Sequence, residues 1–293
     1  MTQIPAGTAR YFAWLYSSAR MQAVLAPLFG IETEINTALQ PGLEHSVAHV
    51  RMTWWAEEAQ RLRTGHALHP LTRALLAQQP AAAAGSAAGP DITGLVDIAT
   101  WDLASATFDT REELSGYCGR WAQAVMRLAV VCGAPEVQAQ TAEQFAAGAG
   151  EAVCELEMLI SLERSARLGR LRIPLEELAR LDVAPESLAL TPWPAALCER
   201  LRARHRELRG TLTTSCALLR APHHRVALRG LLVWCALMQQ HSRRAEAALP
   251  RSWQRNRWQG VGDALRAWRT ARRAMRRQSA IPLNSSLKTS ERP

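Results

Sequence analysis

Apolar residues in this chain recur three and four apart, while alternating runs rich in Val, Ile and Thr are hard to find. That periodicity belongs to helices and offers a sheet almost nothing to pair. The expected fold is therefore all-α. A first helical block runs from Thr8 to Leu39, with Pro27 as a kink or break, and Gln40-Pro41-Gly42 closes it. A second spans Val47 to Thr64. Residues 80–90, a charge-free run of alanine, glycine and serine bracketed by prolines, read as a loop between helices. Asp109-Thr110 is placed to cap a helix from Arg111 to Val131, and Gly133-Ala134-Pro135 turns the chain into a long helix from Glu136 to Leu168. A short helix over Leu175–Leu181 and three more, Trp193–Leu219, His223–Ala248 and Trp258–Arg277, complete one domain over residues 1–277. The polar tail, residues 278–293, is expected to be disordered.

Composition narrows the function classes. With 48% hydrophobic and 21% charged residues, the 293-residue chain is globular in character. Its net charge of +9 is unevenly spread: residues 1–163 sum to −8 and residues 164–293 to +17. Every base but Lys288 is an arginine, always charged and shaped to hold carboxylate or phosphate oxygens in pairs, although a GC-rich genome produces the same excess. The N-terminus has no basic segment followed by a long apolar run, which argues against a secretory signal. The most continuous apolar stretch, Leu231 to Met238, falls far below the roughly 20 residues of a membrane span. Surface attachment stays open, so the expected location is cytoplasmic, including the inner face of a membrane. The six cysteines form no C-x-x-C pair and read as reduced core residues. His45 and His49 lack a third ligand for zinc. The pairs Gly148/Gly150 and Gly260/Gly262 lack the strand that a dinucleotide loop requires, and nothing in the chain resembles a nucleic-acid-binding fold.

Three stretches, in order, carry a family likeness. The first is Arg51-Met-Thr-Trp54-Trp55-Ala-Glu57-Glu58, continuing to Gly65 and His69-Pro70-Leu71. The second runs from Leu95-Val-Asp97 through Asp102-Leu103, Phe108-Asp-Thr110, Glu113-Leu114 and Tyr117-Cys118. The third runs from Gly150 to Gly169-Arg170-Leu-Arg172-Ile-Pro174. Together they resemble the squalene/phytoene synthase family over roughly residues 8–185. The resemblance implies a single isoprenoid-synthase-like bundle of helices around a central cavity. It also implies a chemistry, the head-to-head joining of two allylic diphosphates, in which magnesium is clamped between two D-x-x-x-D motifs on facing helices.

Both motifs depart from that pattern. At the first, Glu34 stands for the leading aspartate and Ala38 falls where the second belongs. At the second, the two aspartate positions are Ser161 and Ser165, preceded by Cys154 and Glu157. Serine is neutral and a poor magnesium ligand. The expected cavity-facing positions are therefore Glu34, Ala38, Cys154, Glu157, Ser161 and Ser165, with Arg51 and Arg170 as candidate phosphate holders. No catalytic residue is assigned. Glu157 reads better as the structural partner of an arginine such as Arg51 or Arg170 than as a ligand. Glu151 and Glu155 read as a solvated helix face, Arg170 and Arg172 as charges at a helix C-terminus, and Asp97 or Asp102 as a buried acid paired with arginine. Of Trp54 and Trp55, one ring is expected inward and the other against a neighbouring helix.

Two functional readings follow from the likeness. The favoured one is a bundle that has lost prenyl transfer and works as a binding or assembly protein, comparable to complex I assembly factors of the same fold. It would take a prenyl diphosphate or lipid ligand. The alternative is an active magnesium-dependent farnesyl or geranylgeranyl diphosphate transferase, with a displaced metal site built from Glu34, Glu157 and Asp102. A third reading, an unrelated helical adaptor, makes the matches coincidence. The last helix is basic, Arg266 to Arg277, with Leu265, Trp268, Ala271 and Met275 at helical intervals. It either closes the bundle with a solvated face or docks on an anionic membrane or an acidic protein.

Overall fold

The computed structural model describes residues 4–40, 44–80, 89–104 and 107–276, with Arg257 described by its backbone alone. Most of the expected 80–90 loop and the whole of 277–293 lie outside the described residues. The elements are helical throughout: α1 (Ala9–Leu15), α2 (Ala19–Thr37), α3 (His45–Arg63), α4 (Pro70–Leu76), α5 (Thr93–Ala104) and α6 (Arg111–Trp121). A π-helical turn, Ala122–Arg127, carries α6 into α7 (Leu128–Gly133). Then come α8 (Ala139–Ile160), α9 (Leu162–Arg167), α10 (Leu175–Arg180), a 3-10 turn at Pro185–Ala189, α11 (Ala195–Leu218), α12 (Pro222–Ala227), α13 (Arg229–Ala248) and α14 (Arg257–Arg276). Among the described residues there is no strand.

Local chemistry explains the boundaries, and it moves three of them from where the periodicity placed them. Pro27 sits inside α2 and does not break it. The break comes at Ser17–Ser18: Ser17 Oγ donates back to the Ala13 carbonyl, while Ser18 Oγ accepts from the Met21 N–H and caps the next helix. The long helix expected through Leu168 is interrupted at Ser161, whose hydroxyl donates to the Glu157 carbonyl at 2.8 Å. The chain also pauses at Leu228, between α12 and α13. Thr110 caps α6 as expected, accepting from the Glu113 N–H.

Helix α8 runs through the middle of the bundle, against α6, the π turn, α11 and α13. One of its faces is lined with small residues, Ala142, Ala146, Ala149 and Gly150, so neighbours approach closely. Gly150 lies against Ala122 and Met126 with no room for a side chain. On another side, Glu155 is buried and accepts from Arg111 at 2.7 Å and from Arg204 at 2.6 and 2.7 Å. Arg111 also reaches Glu177, which accepts from Arg200 at 2.8 Å. These pairs tie α6, α8, α10 and α11 together. They correct the expectation of a solvated face: Glu151 is exposed, but Glu155 is the buried centre of an ionic network. The cysteines are free, and all but the half-buried Cys216 are buried.

Helix α1 meets the start of α13 through Gly230, where an added Cβ would press into Ser17 Oγ and the Ala13 carbonyl. Gly230→Ala should therefore cost about 1–3 kcal/mol by forcing α1 away from α13. Chemical denaturation checks this, and an unshifted midpoint would contradict it.

Candidate functional site

Inside the bundle lies a cavity of about 680 Å³, walled by α1, α2, α5, α6, α8 and α13 and by the segments 161–172 and 253–255. Much of its wall is apolar, including Phe29, Ile35, Leu95, Ile98, Met158 and Met238. Its ionisable lining is mostly basic: Arg10, Arg164, Arg170, Arg172 and Arg255 against Glu32, Asp102 and Glu157. Two ion-pair clusters organise it.

The first cluster joins the two helices that the family resemblance assigns to the metal clamp. From α2, Glu32 projects inward and is 6% exposed. From α8, Glu157 faces it. Arg10, on α1, lies between them: Nη1 donates to Glu32 Oε2 at 2.5 Å, and Nη2 donates to Glu32 Oε1 at 3.1 Å and to Glu157 Oε2 at 2.7 Å. Trp121 Nε1 donates to Glu32 Oε1 at 2.9 Å. The guanidinium carbon also sits 5.5 Å from the Phe29 ring, 6.0 Å from Trp121 and 5.5 Å from the fully buried Trp234. Burial works against the Arg10 charge, but Glu157 and Glu32 more than offset it and hold its pKa above the ordinary value. The cation is thus permanent and held in a fixed seat.

The second cluster lies beside it. Arg172 grips Asp102 with both terminal nitrogens, at 2.7 and 2.8 Å, and Tyr117 donates its hydroxyl to Asp102 Oδ2 at 3.1 Å. All three residues are buried. Burial, together with the negative charge of Asp102, pushes the Tyr117 hydroxyl well above its usual pKa, so it serves as a donor.

The expected site residues divide accordingly. Cys154, Glu157, Ser161, Ser165 and Arg170 line the cavity. Glu34 does not: it points away and pairs with His69 at 3.2 Å. Phe29, Glu32 or Thr33, and Asn36 share the inward face at helical spacing, and Glu34, two residues after Glu32, falls on the far side. Ala38 is buried and lines a smaller neighbouring cavity with Leu39, Gln40 and His45, which shares Asn36, Asp102 and Arg170 with the first. Arg51 is exposed on α3 and is not part of the cavity wall. The partner of Glu157 is accordingly Arg10, and neither Arg51 nor Arg170. Arg170 donates to the Leu39 carbonyl at 2.6 Å, and Arg172 is a buried pairing residue, not a charge at a helix end. Asp97 is exposed, and Trp55 is buried while Trp54 stays half-exposed over His69.

The donor set does not fit magnesium. An octahedral site needs several free carboxylate or water oxygens, whereas both facing carboxylates are already engaged by one guanidinium. Their neighbours Ser161 and Ser165 are neutral. Burial keeps the Cys154 thiol well above its ordinary pKa, and sulfur is a poor match for magnesium, which takes oxygen ligands. Among the described residues no group of three or more His, Cys, Asp or Glu side chains is arranged to hold a metal ion.

Comparison with known proteins fits this architecture. The family model for squalene/phytoene synthase matches residues 6–273. A ligand-bound dehydrosqualene synthase crystal structure superimposes with a TM-score of 0.71 at 14% identity, covering 93% of this chain and 92% of that one. The squalene synthase HpnC from Alicyclobacillus acidocaldarius gives 0.62 at 17% identity, over 79% of this chain and 85% of that one. No curated protein sequence matches the chain significantly. A family match over nearly all of the described residues, on a helical bundle with the same architecture, means that this chain belongs to the squalene/phytoene synthase family.

Proposed function

We propose that this family member has exchanged prenyl transfer for a binding or assembly role, with Arg10 standing where the metal charge would be needed. The observation that carries the reading is the Arg10 bridge between Glu32 and Glu157. Ionising an allylic diphosphate requires divalent cations that neutralise the leaving group. A fixed guanidinium satisfies the two carboxylates instead and cannot exchange its coordination shell. Three further arginines, Arg164, Arg170 and Arg255, line the same cavity beside apolar walls. That combination suits an anionic, chain-bearing ligand such as a prenyl diphosphate or another lipid, held without metal. The basic face of α14 gives the body a docking surface for an anionic membrane or an acidic protein, consistent with a cytoplasmic protein at the inner face of a membrane.

The competing reading is an active farnesyl or geranylgeranyl diphosphate transferase. What favours it is that two carboxylates, Glu32 and Glu157, do face each other across one cavity. It requires Arg10 to vacate its seat. The discriminating experiment incubates purified protein with Mg2+ and farnesyl or geranylgeranyl diphosphate and measures diphosphate release. The expected result is release no faster than the protein-free control. Turnover abolished by Glu32→Gln or Glu157→Gln would overturn the non-catalytic reading.

A further inference from the structure

Helix α14 is mounted with its small residues inward and its large apolar residues outward. Ala267, Ala271, Ala274 and Asp263 are buried against the bundle at 0–1% exposure. Trp258, Val261, Leu265, Trp268 and Met275 lie on another face, between 44% and 72% exposed. Their spacing of three, four, three and seven makes one continuous stripe along a helix about 30 Å long. Arg269, Arg273 and Arg276, all exposed, follow one edge of it, and Arg272 lies within it, its guanidinium 5.1 Å from the Trp268 ring. The single acid of the helix, Asp263, faces inward.

We infer that α14 is a membrane-docking helix, seating its Trp258–Met275 stripe in the interface of an anionic lipid surface while the arginine row meets the lipid phosphates. Exposing two indoles, a leucine, a valine and a methionine to water is unfavourable, and burying them in the headgroup region reverses that cost. The position of Arg272 selects lipid over protein. A helical partner reading this three-four repeat would need an apolar residue at 272, whereas beside a bilayer an arginine lays its stem along the apolar zone and lifts its charge to the phosphates. No exposed carboxylate on the helix opposes an anionic surface.

The mounting also links the surface to the cavity. Asp263 accepts from Arg244 at 2.6 Å, Gln240 at 3.0 Å and Arg255 at 2.8 Å, and pairs with His241 at 3.0 Å. Arg255 donates in addition to the Gly7 carbonyl at 2.5 Å. Since His241, Trp253 and Arg255 line the cavity, the docked helix holds that wall of the cavity next to the lipid surface. The inference rests on the basic-face reading of α14 and names its partner.

The test is flotation of the full chain with vesicles of phosphatidylcholine alone or mixed with phosphatidylglycerol, with no prenyl diphosphate present. Its failure therefore leaves the absent-turnover reading standing, and the reverse. Binding is expected only to the phosphatidylglycerol vesicles and should weaken with salt. The triple change Arg269→Gln, Arg272→Gln and Arg273→Gln should lower partition about a hundredfold, at about fivefold per arginine. The pair Trp258→Ser and Trp268→Ser should lower it about tenfold or more with all arginines kept. These side chains are solvent-exposed, so an unchanged melting temperature shows that the variants are folded. No partition at low salt, equal partition into both vesicles, or indifference to the tryptophan pair would overturn the inference. So would a dimer in sedimentation that dissociates in the tryptophan variant, because the stripe would then receive a second copy of the chain.

Discussion

Arg10→Ala is expected to lower unfolding stability by about 3 kcal/mol, the lower end of the about 3–5 kcal/mol that removing one partner of a buried ion pair costs, since Glu32 is buried but Arg10 and Glu157 are partly exposed. The deletion leaves Glu32 and Glu157 facing each other across the cavity without their shared cation, and it empties the seat formed by Phe29, Trp121 and Trp234. Two carboxylates left together in that way repel. A second expectation follows. With the guanidinium gone, the pair is free to take a divalent cation, so Mg2+ or Mn2+ at millimolar concentration should recover part of the lost stability, while wild-type stability stays indifferent to either ion. Urea denaturation with and without metal reads both effects. A metal-independent Arg10→Ala variant would mean that the cluster is only a structural pair, and a wild-type response to Mg2+ would mean that the seat is exchangeable.

On the non-catalytic reading proposed above, the Arg10 cluster accounts for how the bundle persists without a bound metal. Facing carboxylates on α2 and α8 are costly in a protein interior unless a cation joins them. A metal supplies that cation only while it is bound, but an arginine on a third helix supplies it permanently. It also fixes α1 against α2 and α8, so on that reading the residue that stabilises the bundle also competes with a metal for the two carboxylates. The excess of arginine on the cavity wall then favours anions directly.

The fold was legible because helical periodicity and the ordered family motifs survive in the apolar and turn residues, such as Trp54-Trp55, Thr110 and Gly169-Arg170. The site was only half legible. On α8 and α9, counting back from Gly169 placed Cys154, Glu157, Ser161 and Ser165 toward the cavity, and all four line it. On α2 the count landed on Glu34 instead of Glu32, because no fixed point followed the motif to set the helix phase. The spacing of Phe29 to Glu32 to Asn36 on one face was the available signal. Arg10 was missed altogether. A lone charge directly before the apolar run Tyr11–Tyr16 is a hint of an inward role, but its pairing with Glu157 spans 147 positions and arises only from tertiary packing. On α14 the large apolar residues were visible, whereas their outward orientation was not, since an alanine stripe and a Trp–Leu stripe both satisfy helical spacing.

Asp102→Ala should be the other change of largest effect, about 3–5 kcal/mol, because it strands Arg172. That guanidinium is 6% exposed and bonds Asp102 with both terminal nitrogens, so without the carboxylate it remains charged and unpaired in the bundle, and Tyr117 loses its acceptor. Asp102 and Tyr117 outweigh the burial that disfavours the Arg172 charge; once the carboxylate is gone burial acts largely unopposed, yet a guanidinium's ordinary pKa lies so far above neutral that losing its proton is no escape. The pair joins α5 to the segment after α9, and Tyr117 brings in α6, so its loss should loosen the cavity wall as well as the global fold. The double variant Asp102→Leu with Arg172→Met separates the two contributions. It removes both charges and restores apolar contact with Phe108, whose ring lies 5.9 Å from the Arg172 guanidinium. Replacing a whole buried pair in this way is often neutral or stabilising, so the double variant should regain most of the stability lost by Asp102→Ala. A double variant as unstable as the single one would show that the charges themselves, and not merely their mutual satisfaction, hold α5 and α6 in place around the cavity.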